Sequence, residues 1–379
     1  MTTRCWMLAL LLATAQPRQA RAEDAVSYKY QDYRESGGRI AVQVHAAMIE
    51  KDLGTATKLK VHGVIDTIAG ATPTGEPERT PGAGVPLSTL DEERKAWSVD
   101  VSHQFGDITI ALGGAHSRES DYVSTGWSLN TLKDFNSRNT TLALGIAGTS
   151  DDVKVFFQQE RADKRSLDVI AGITQLLDKH TSVSLNVTRS HATGYLSDPY
   201  KLVEQIGEVF PGVFLRRTFP ENRPDSRTKW LVLGAINRAV PALHAAVDAS
   251  YRFHHDDFGI TSHTLNLEWY QRVGGQVTLR PHIRVMRQSA ADFYRVTLTG
   301  APFTPSSAPN GRAPFYSSDY RLSELRTTNF GLKLVWEPRA NLQFDATLEK
   351  YEMKGRDGVT SASAYPRATI FTVGGRFAF

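Results

Sequence analysis

Arg280, His282 and Arg284 occupy alternate positions, the spacing that puts three side chains on one face of a strand. Cationic or protonatable groups in a row along a narrow pore would concentrate anions there. Lys58, Lys60 and His62 repeat the pattern near the start of the chain. Acids of matching parity answer both rows, at Asp66, Asp100, Asp248, Glu268, Asp345 and Glu349. The six basic positions are therefore lumen or ligand candidates, and can equally be halves of ion pairs bracing a polar interior.

A second group brackets a long polar stretch. Asp198 lies in Tyr195 to Lys201, and Arg223, Asp225 and Arg227 close the stretch. These four could pin a mouth loop to itself or meet a ligand. Between them Leu202, Val203, Ile206 and Val209 have helical spacing, which predicts a short helix capping or entering the mouth. His254-His255-Asp256-Asp257 offers imidazole and carboxylate groups suited to a divalent metal. Neighbours on a strand point to opposite faces, so at most two could chelate together, and a solvated hairpin tip is expected rather than a metal site. No cofactor is expected. The sequence has no Gly-x-Ser-x-Gly elbow, no His-Glu-x-x-His and no P-loop, since Gly70 to Gly75 lacks the Gly-Lys-Ser/Thr ending. An enzyme is not expected, although a Ser and a His brought together from different strands would escape a spacing test.

Strands must position these groups, because apolar and polar residues alternate along much of the chain. Segments near 26–34, 40–50, 59–66, 97–102, 108–112, 137–148, 153–161, 165–177, 181–194, 227–239, 243–255, 261–273, 275–290, 321–337, 341–354 and 367–379 give about sixteen strands. Ile40, Val42, Val44, Ala46 and Met48 form one apolar side, and Phe330, Leu332, Leu334 and Trp336 form another. Short connections at Gly54, Gly106, Ser150-Asp151, Asp178-Lys179, Pro241-Ala242, Gly274-Gly275 and Pro338-Arg339 fall on one side. Long ones near 71–93, 124–136, 195–226, 291–320 and 355–366 fall on the other. Transmembrane barrels sort their turns in this way, short ones periplasmic and long ones outside.

No run approaches the eighteen or so apolar residues of a membrane helix, so a membrane-spanning form of this chain must be a closed barrel. An Arg or Lys at the bilayer midplane would cost about 2–4 kcal/mol, and the central apolar faces carry none. Trp97, Trp230, Trp269 and Trp336 fit interfacial girdles. The closing segment, with Phe371, Val373, Phe377 and Phe379 on one face, is expected to be the final strand and the signal read by the barrel-assembly machinery. At the other end, Arg4, a short apolar run and Ala20-Arg21-Ala22 predict a cleaved signal peptide over 1–22 and a barrel over 23–379. Without 1–22 the formal charge falls from +4 to +1, with 41 basic side chains against 40 acidic. That balance argues against a nucleic-acid partner. Cys5 is the single cysteine, consistent with export without a disulfide framework.

Several blocks in order resemble one known family. They are Asp66 to Pro73, Asp91-Glu92-Glu93-Arg94, Glu119-Ser120-Asp121-Tyr122, Gly194 to Lys201, Arg223 to Arg227, Tyr251-Arg252-Phe253, Gly259 to Leu265 and Gln288 to Tyr294. The likeness is to bacterial proteins catalogued as domain of unknown function 3570, and it departs from the pattern around Glu204 to Glu221. The resemblance implies an exported β-barrel without an assigned activity.

The expected molecule is thus all-β: a transmembrane antiparallel up-and-down barrel of the Gram-negative outer membrane, preceded by a signal peptide. Its neighbours would be outer-membrane lipid and lipopolysaccharide, with a periplasmic partner open. Its expected role is a passive or gated channel for small polar solutes. The alternatives are a scaffold or sleeve for a partner and, third, a barrel-embedded lipid-modifying enzyme. Ala301 to Ser318, rich in Pro and Ser, is a candidate for an inward-folded constriction.

Overall fold

Backbone N–H and C=O groups in hydrocarbon have no water to bond, so a sheet there can have no open edge. The computed structural model describes residues 24–379 and meets that condition with sixteen strands in one closed antiparallel ring. In chain order these are β1 (Ala25–Glu35), β2 (Ala41–Asp52), β3 (Thr57–Pro73), β4 (Leu87–Phe105), β5 (Ile108–Arg118), β6 (Tyr122–Phe135), β7 (Thr140–Val153), β8 (Ala162–Asp178) and β9 (Thr181–Gly194). After a hairpin outside the ring, β10 (Leu202–Phe210) with β11 (Val213–Pro220), come β12 (Ser226–Val240), β13 (Ala245–Asp256), β14 (Thr261–Val273), β15 (Val277–Gln288), β16 (Leu325–Arg339), β17 (Leu342–Gly355) and β18 (Arg367–Ala378). Neighbours in sequence are neighbours in space, except that β9 pairs directly with β12. β1 joins β18 from Ala25 opposite Ala378 to Glu35 opposite Ala368, which closes the ring.

The outer surface is apolar. Leu144, Leu265, Leu112 and Phe330 are 63 %, 58 %, 59 % and 57 % exposed, a fraction that belongs to a lipid-facing surface rather than a wet one. Trp336 stacks on Phe344 at the end of the short turns. Trp97 with His116, and Tyr251 with His263, lie higher on the wall. The largest buried apolar side chains lie elsewhere. Phe258 packs with Phe293, Tyr294 and Leu322, Tyr320 with Leu325 and Tyr365, and Val203 with Leu298 and Tyr316. All of these sit in or beside the long connections.

The ring has the sixteen strands expected, but three local expectations are corrected. Ser150-Asp151 lies inside β7 and 124–135 inside β6, so the short turn is 136–139 and a predicted strand at 153–161 is the outer connection 154–161. One strand missed and one added left the count unchanged. The predicted helix around Leu202 to Val209 is the β10–β11 hairpin, turned at Pro211-Gly212. The parity of β2 is also reversed. Val44 pairs with Asp66, Met48 with His62 and Glu50 with Lys60, so Val42, Val44, Ala46 and Met48 face inward, while His45 and Ile49 face out. The predicted signal peptide over 1–22 lies outside the described residues.

Outward parity gives a direct test. Leu332→Arg places a charge mid-strand on the lipid face and should lower the unfolding free energy in bilayers by about 2–4 kcal/mol. Lys333→Ala, pointing inward one position on, should leave bilayer insertion intact. Urea titration in vesicles reads both.

Candidate functional site

Inward positions of the wall fall into two arcs of different chemistry. From β14 through β18 and on to β4 the lumen is braced by ion pairs between strands that are adjacent in the ring or one strand apart. Arg280 Nε donates to Glu268 Oε1 at 2.8 Å, His282 Nε2 meets Glu349 Oε1 at 3.0 Å, and Lys333 Nζ lies 3.1 Å from Asp345. Glu50 takes Lys60 at 3.1 Å and also Arg376, and Asp66 receives the Arg94 guanidinium through Nε at 3.0 Å. His282 reaches Glu349 over Gly331 of the intervening β16, and Arg376 reaches Glu50 over β1, so each bridge runs along the wall rather than across the lumen.

The other arc, β5 to β9, is lined mostly by small groups, with the pair of Lys164 and Asp151 at 3.6 Å near its outer end. Its inner positions include Ala111, Gly113, Ser128, Asn130, Ala143, Gly145, Gly172, Ser184 and Asn186, with Asp168 among them. Three inward-facing glycines have a specific use here. A Cβ on Gly113 would lie 2.4 Å from the Asp100 carboxylate, on Gly145 2.5 Å from the Asn130 amide, and on Gly172 2.2 Å from the Asn186 amide. Each glycine lets a polar side chain of the adjacent strand lie flat along the wall, which keeps that arc thin.

At the outer end, loops from three separated arcs meet over the mouth. Lys201, in the β9–β12 connection, donates through Nζ to the Pro73 carbonyl at the end of β3. Leu202 N bonds Thr74 O at 2.8 Å. Ser318, in the β15–β16 connection, donates to Leu202 O at 2.7 Å. Asn222 and Tyr316 exchange backbone bonds at 2.9 Å. The centre of this lid is a cluster of three acids and three bases. Arg321 bridges Asp198 and Asp319, and Arg223 bridges Glu221 and Asp319, each at 2.7 Å. Lys201, 2 % exposed, lies beside them with Glu221 and Asp319, each 1 % exposed.

Burial and charge compete within the cluster. Burial works against ionisation of Asp198, but Arg321 and Lys201 more than offset it and hold the carboxyl down at about 2. Asp319 is also held well below the ordinary range, because two guanidinium groups outweigh its burial. Glu221 goes the other way: burial pushes it up to about 6 despite Arg223, and the neighbouring Asp319 and Asp198 add to the shift. Burial likewise lowers Lys201. Depressed acids stabilise the lid above their ordinary value of 3.8 and lose that contribution as pH falls below it, whereas a raised Glu221 makes the lid less stable as pH rises through about 6.

The structure distributes the sequence candidates as follows. Arg280 and His282 face inward and are paired as above, Lys60 is paired with Glu50 and Lys58 with Asp52 at 3.5 Å. His62 faces inward beside Met48 and Ser98, and Arg284 between Asn266 and Asn329. Asp198 and Arg223 come together in the lid. Asp225 takes part through its backbone, accepting from Gly194 N at 2.7 Å. Arg227 belongs to a separate pair with Asp256, which also takes His254 at 3.0 Å. Asp256 is 2 % exposed, so the expected solvated tip is instead a buried turn, with Asp256 accepting from Phe258 N and Ile260 N. His255 faces away toward Thr261. Tyr316 to Asp319, the end of the Pro- and Ser-rich stretch, are buried at the centre of the lid. Phe371, Val373 and Phe377 face outward along β18, with Phe377 stacked on Phe379. Sequence reasoning missed Lys201, Glu221, Asp319 and Arg321. The available signal was Asp319-Tyr320-Arg321, a charged pair inside an otherwise Pro- and Ser-rich loop.

Asp319→Asn should release the lid, since removing one partner of a buried ion pair costs about 3–5 kcal/mol. The expected result is trypsin cleavage within 195–225 under conditions where the native protein is resistant. Hydrogen-exchange protection of the native lid should be greatest between pH 3.8 and 4.5, falling as pH drops toward about 2 and as it rises toward about 6.

Comparison with known proteins places the architecture. CdiB from Acinetobacter baumannii superposes with a TM-score of 0.53 at 8 % identity, over 95 % of this chain and 61 % of that one. A bacterial polysaccharide outer membrane secretin gives 0.50 at 8 % identity, over 95 % of this chain and 100 % of that one. The siderophore receptor PirA from Pseudomonas aeruginosa gives 0.47 at 10 % identity, and the present chain spans 62 % of its length. No curated protein matches by sequence. The fold is that of an outer-membrane β-barrel, and its apolar belt is the surface such a barrel turns to lipid. A family model matches residues 5–83 and 76–367, nearly the whole chain, so the protein belongs to the family described as protein of unknown function (DUF3570).

Proposed function

We propose that the protein is a gated conduit for small polar solutes. The observation that carries this reading is the thin wall of β5 to β9, where Gly113, Gly145 and Gly172 seat the side chains of Asp100, Asn130 and Asn186 flat against the sheet. Sixteen strands are enough to enclose water, and a wall built to stay flat is what a passage needs and a packed core does not. Hydroxyl and amide groups along that arc suit uncharged polar solutes. Much of the opposite arc is paired, as Arg280 is with Glu268 and Lys333 with Asp345, which reduces the field it offers for selecting ions. The lid supplies the gate, because its loops close the mouth and are held by bonds at strand ends and by the charge cluster.

Two further assignments belong to this reading. Outer-membrane lipid and lipopolysaccharide surround the belt, and Phe371, Val373, Phe377 and Phe379 present the outward aromatic face that would contact the barrel-assembly machinery. Planar-bilayer recording tests the conduit. Native protein should give rare openings, and Asp319→Asn frequent ones with a reversal potential close to zero in a salt gradient. A folded, lid-loosened barrel that never conducts would reject the channel and leave the scaffold or sleeve.

A further inference from the structure

Outward basic residues at the loop-bearing end of the barrel form a row that neither the lumen nor the lid uses. Arg287, next to last in β15, stands directly opposite Arg326, second in β16. Arg326 in turn stands opposite Lys354, next to last in β17. On the far side Arg287 is opposite His263 of β14, whose Nδ1 bonds the Tyr251 hydroxyl at 2.6 Å. Like charges directly opposite on a sheet repel and destabilise it. Nearby acids do not relieve the pair at the centre. Glu352 is engaged by Lys354 at 2.9 Å and Arg367 at 3.0 Å, and Glu324, just above, is not within ion-pair distance of either arginine. Among the described residues Arg287 and Arg326 have no ion pair and no side-chain hydrogen bond, and Arg326 Nε is buried without a partner.

Position selects the ligand. One step down the same strands the outward residues are Leu265, Val285 and Thr328, and the next step gives Leu267, Ile283 and Phe330, which is the apolar belt. A cation row there stands at the water boundary of the outer leaflet, where lipid headgroups lie. Guanidinium groups match phosphate oxygens with paired, charge-assisted hydrogen bonds.

We propose that Arg287, Arg326 and Lys354 form a binding site for the phosphate of a glycolipid headgroup of the lipid A type, with its acyl chains lying on Val285, Ile283 and Phe330. The bound phosphate neutralises the repulsion between the two arginines, which stand directly opposite each other with no ion pair of their own.

The test uses full-length protein in detergent micelles and native mass spectrometry with diphosphorylated lipid A, its dephosphorylated form and inorganic phosphate as probes. Diphosphorylated lipid A should bind tightest, and the double variant Arg287→Gln/Arg326→Gln should lose about tenfold or more in affinity, the scale of a lost charge-assisted contact. Arg287→Gln alone, at an exposed position that folding does not depend on, should weaken binding in the same direction, and Lys51→Gln at the opposite end of the barrel should not. Unchanged binding in either arginine variant, or equal binding of the dephosphorylated lipid, overturns the site. Displacement of the lipid by millimolar inorganic phosphate with no contribution from the chains overturns the lipid assignment.

Discussion

Everything in this protein follows from the seam between β1 and β18. Eleven residue pairs join the first and last strands of the ring, and without them two rows of backbone donors and acceptors would lie in hydrocarbon. Once the ring is closed, the wall satisfies its own hydrogen bonds and requires no apolar interior. The usual distribution is therefore inverted, with leucine and phenylalanine outside and ion pairs, amides and glycines inside. The packed apolar clusters are displaced to the one place where the chain meets water on one side and itself on the other, which is the lid.

Within the wall, the two arcs solve different problems. Long charged side chains brace β14 to β4 by pairing along the wall, as Arg280 does with Glu268 and Lys333 with Asp345. Along β5 to β9 small residues leave space instead. Pairing between strands adjacent or one apart matters here, because a salt bridge along the wall strengthens the ring without obstructing the space it surrounds.

Parity and loop length made the ring legible in the sequence, since period-two alternation and the sorting of short and long connections survive errors in single strands. What was lost traces to the thin arc. β6 has Ser124, Gly126, Ser128 and Asn130 on its inner face, and these are the residues that mark turns, so a strand lining a flat wall reads as a loop. β2 was read with reversed parity because its upper outward positions, Gln43 and His45, are polar while Val42 and Val44 face inward beneath the lid; only register with β3 shows which side is which. The β10–β11 hairpin carried its own signal at Pro211-Gly212, which the spacing of Leu202, Ile206 and Val209 obscured. The lid cluster was half visible. Asp198 and Arg223 stood out as charges, but Asp319 and Arg321 lie 96 to 123 residues further along the chain, and a single sequence gives no sign of such pairings.

The composition of that cluster bears on how a lid can be firm and still open. Three acids and three bases balance, so the cluster carries no net charge that would be trapped when closed. Taking such groups out of water costs nearly as much as their mutual attraction returns. Were the β9–β12 and β15–β16 connections to part, all six charges would regain hydration and the attraction given up would be largely offset. Losing a single partner is different, because the remaining five stay buried with one charge unmatched. The same arrangement is therefore sensitive to the loss of any member yet near balance as a whole, which is what the proposed gate requires.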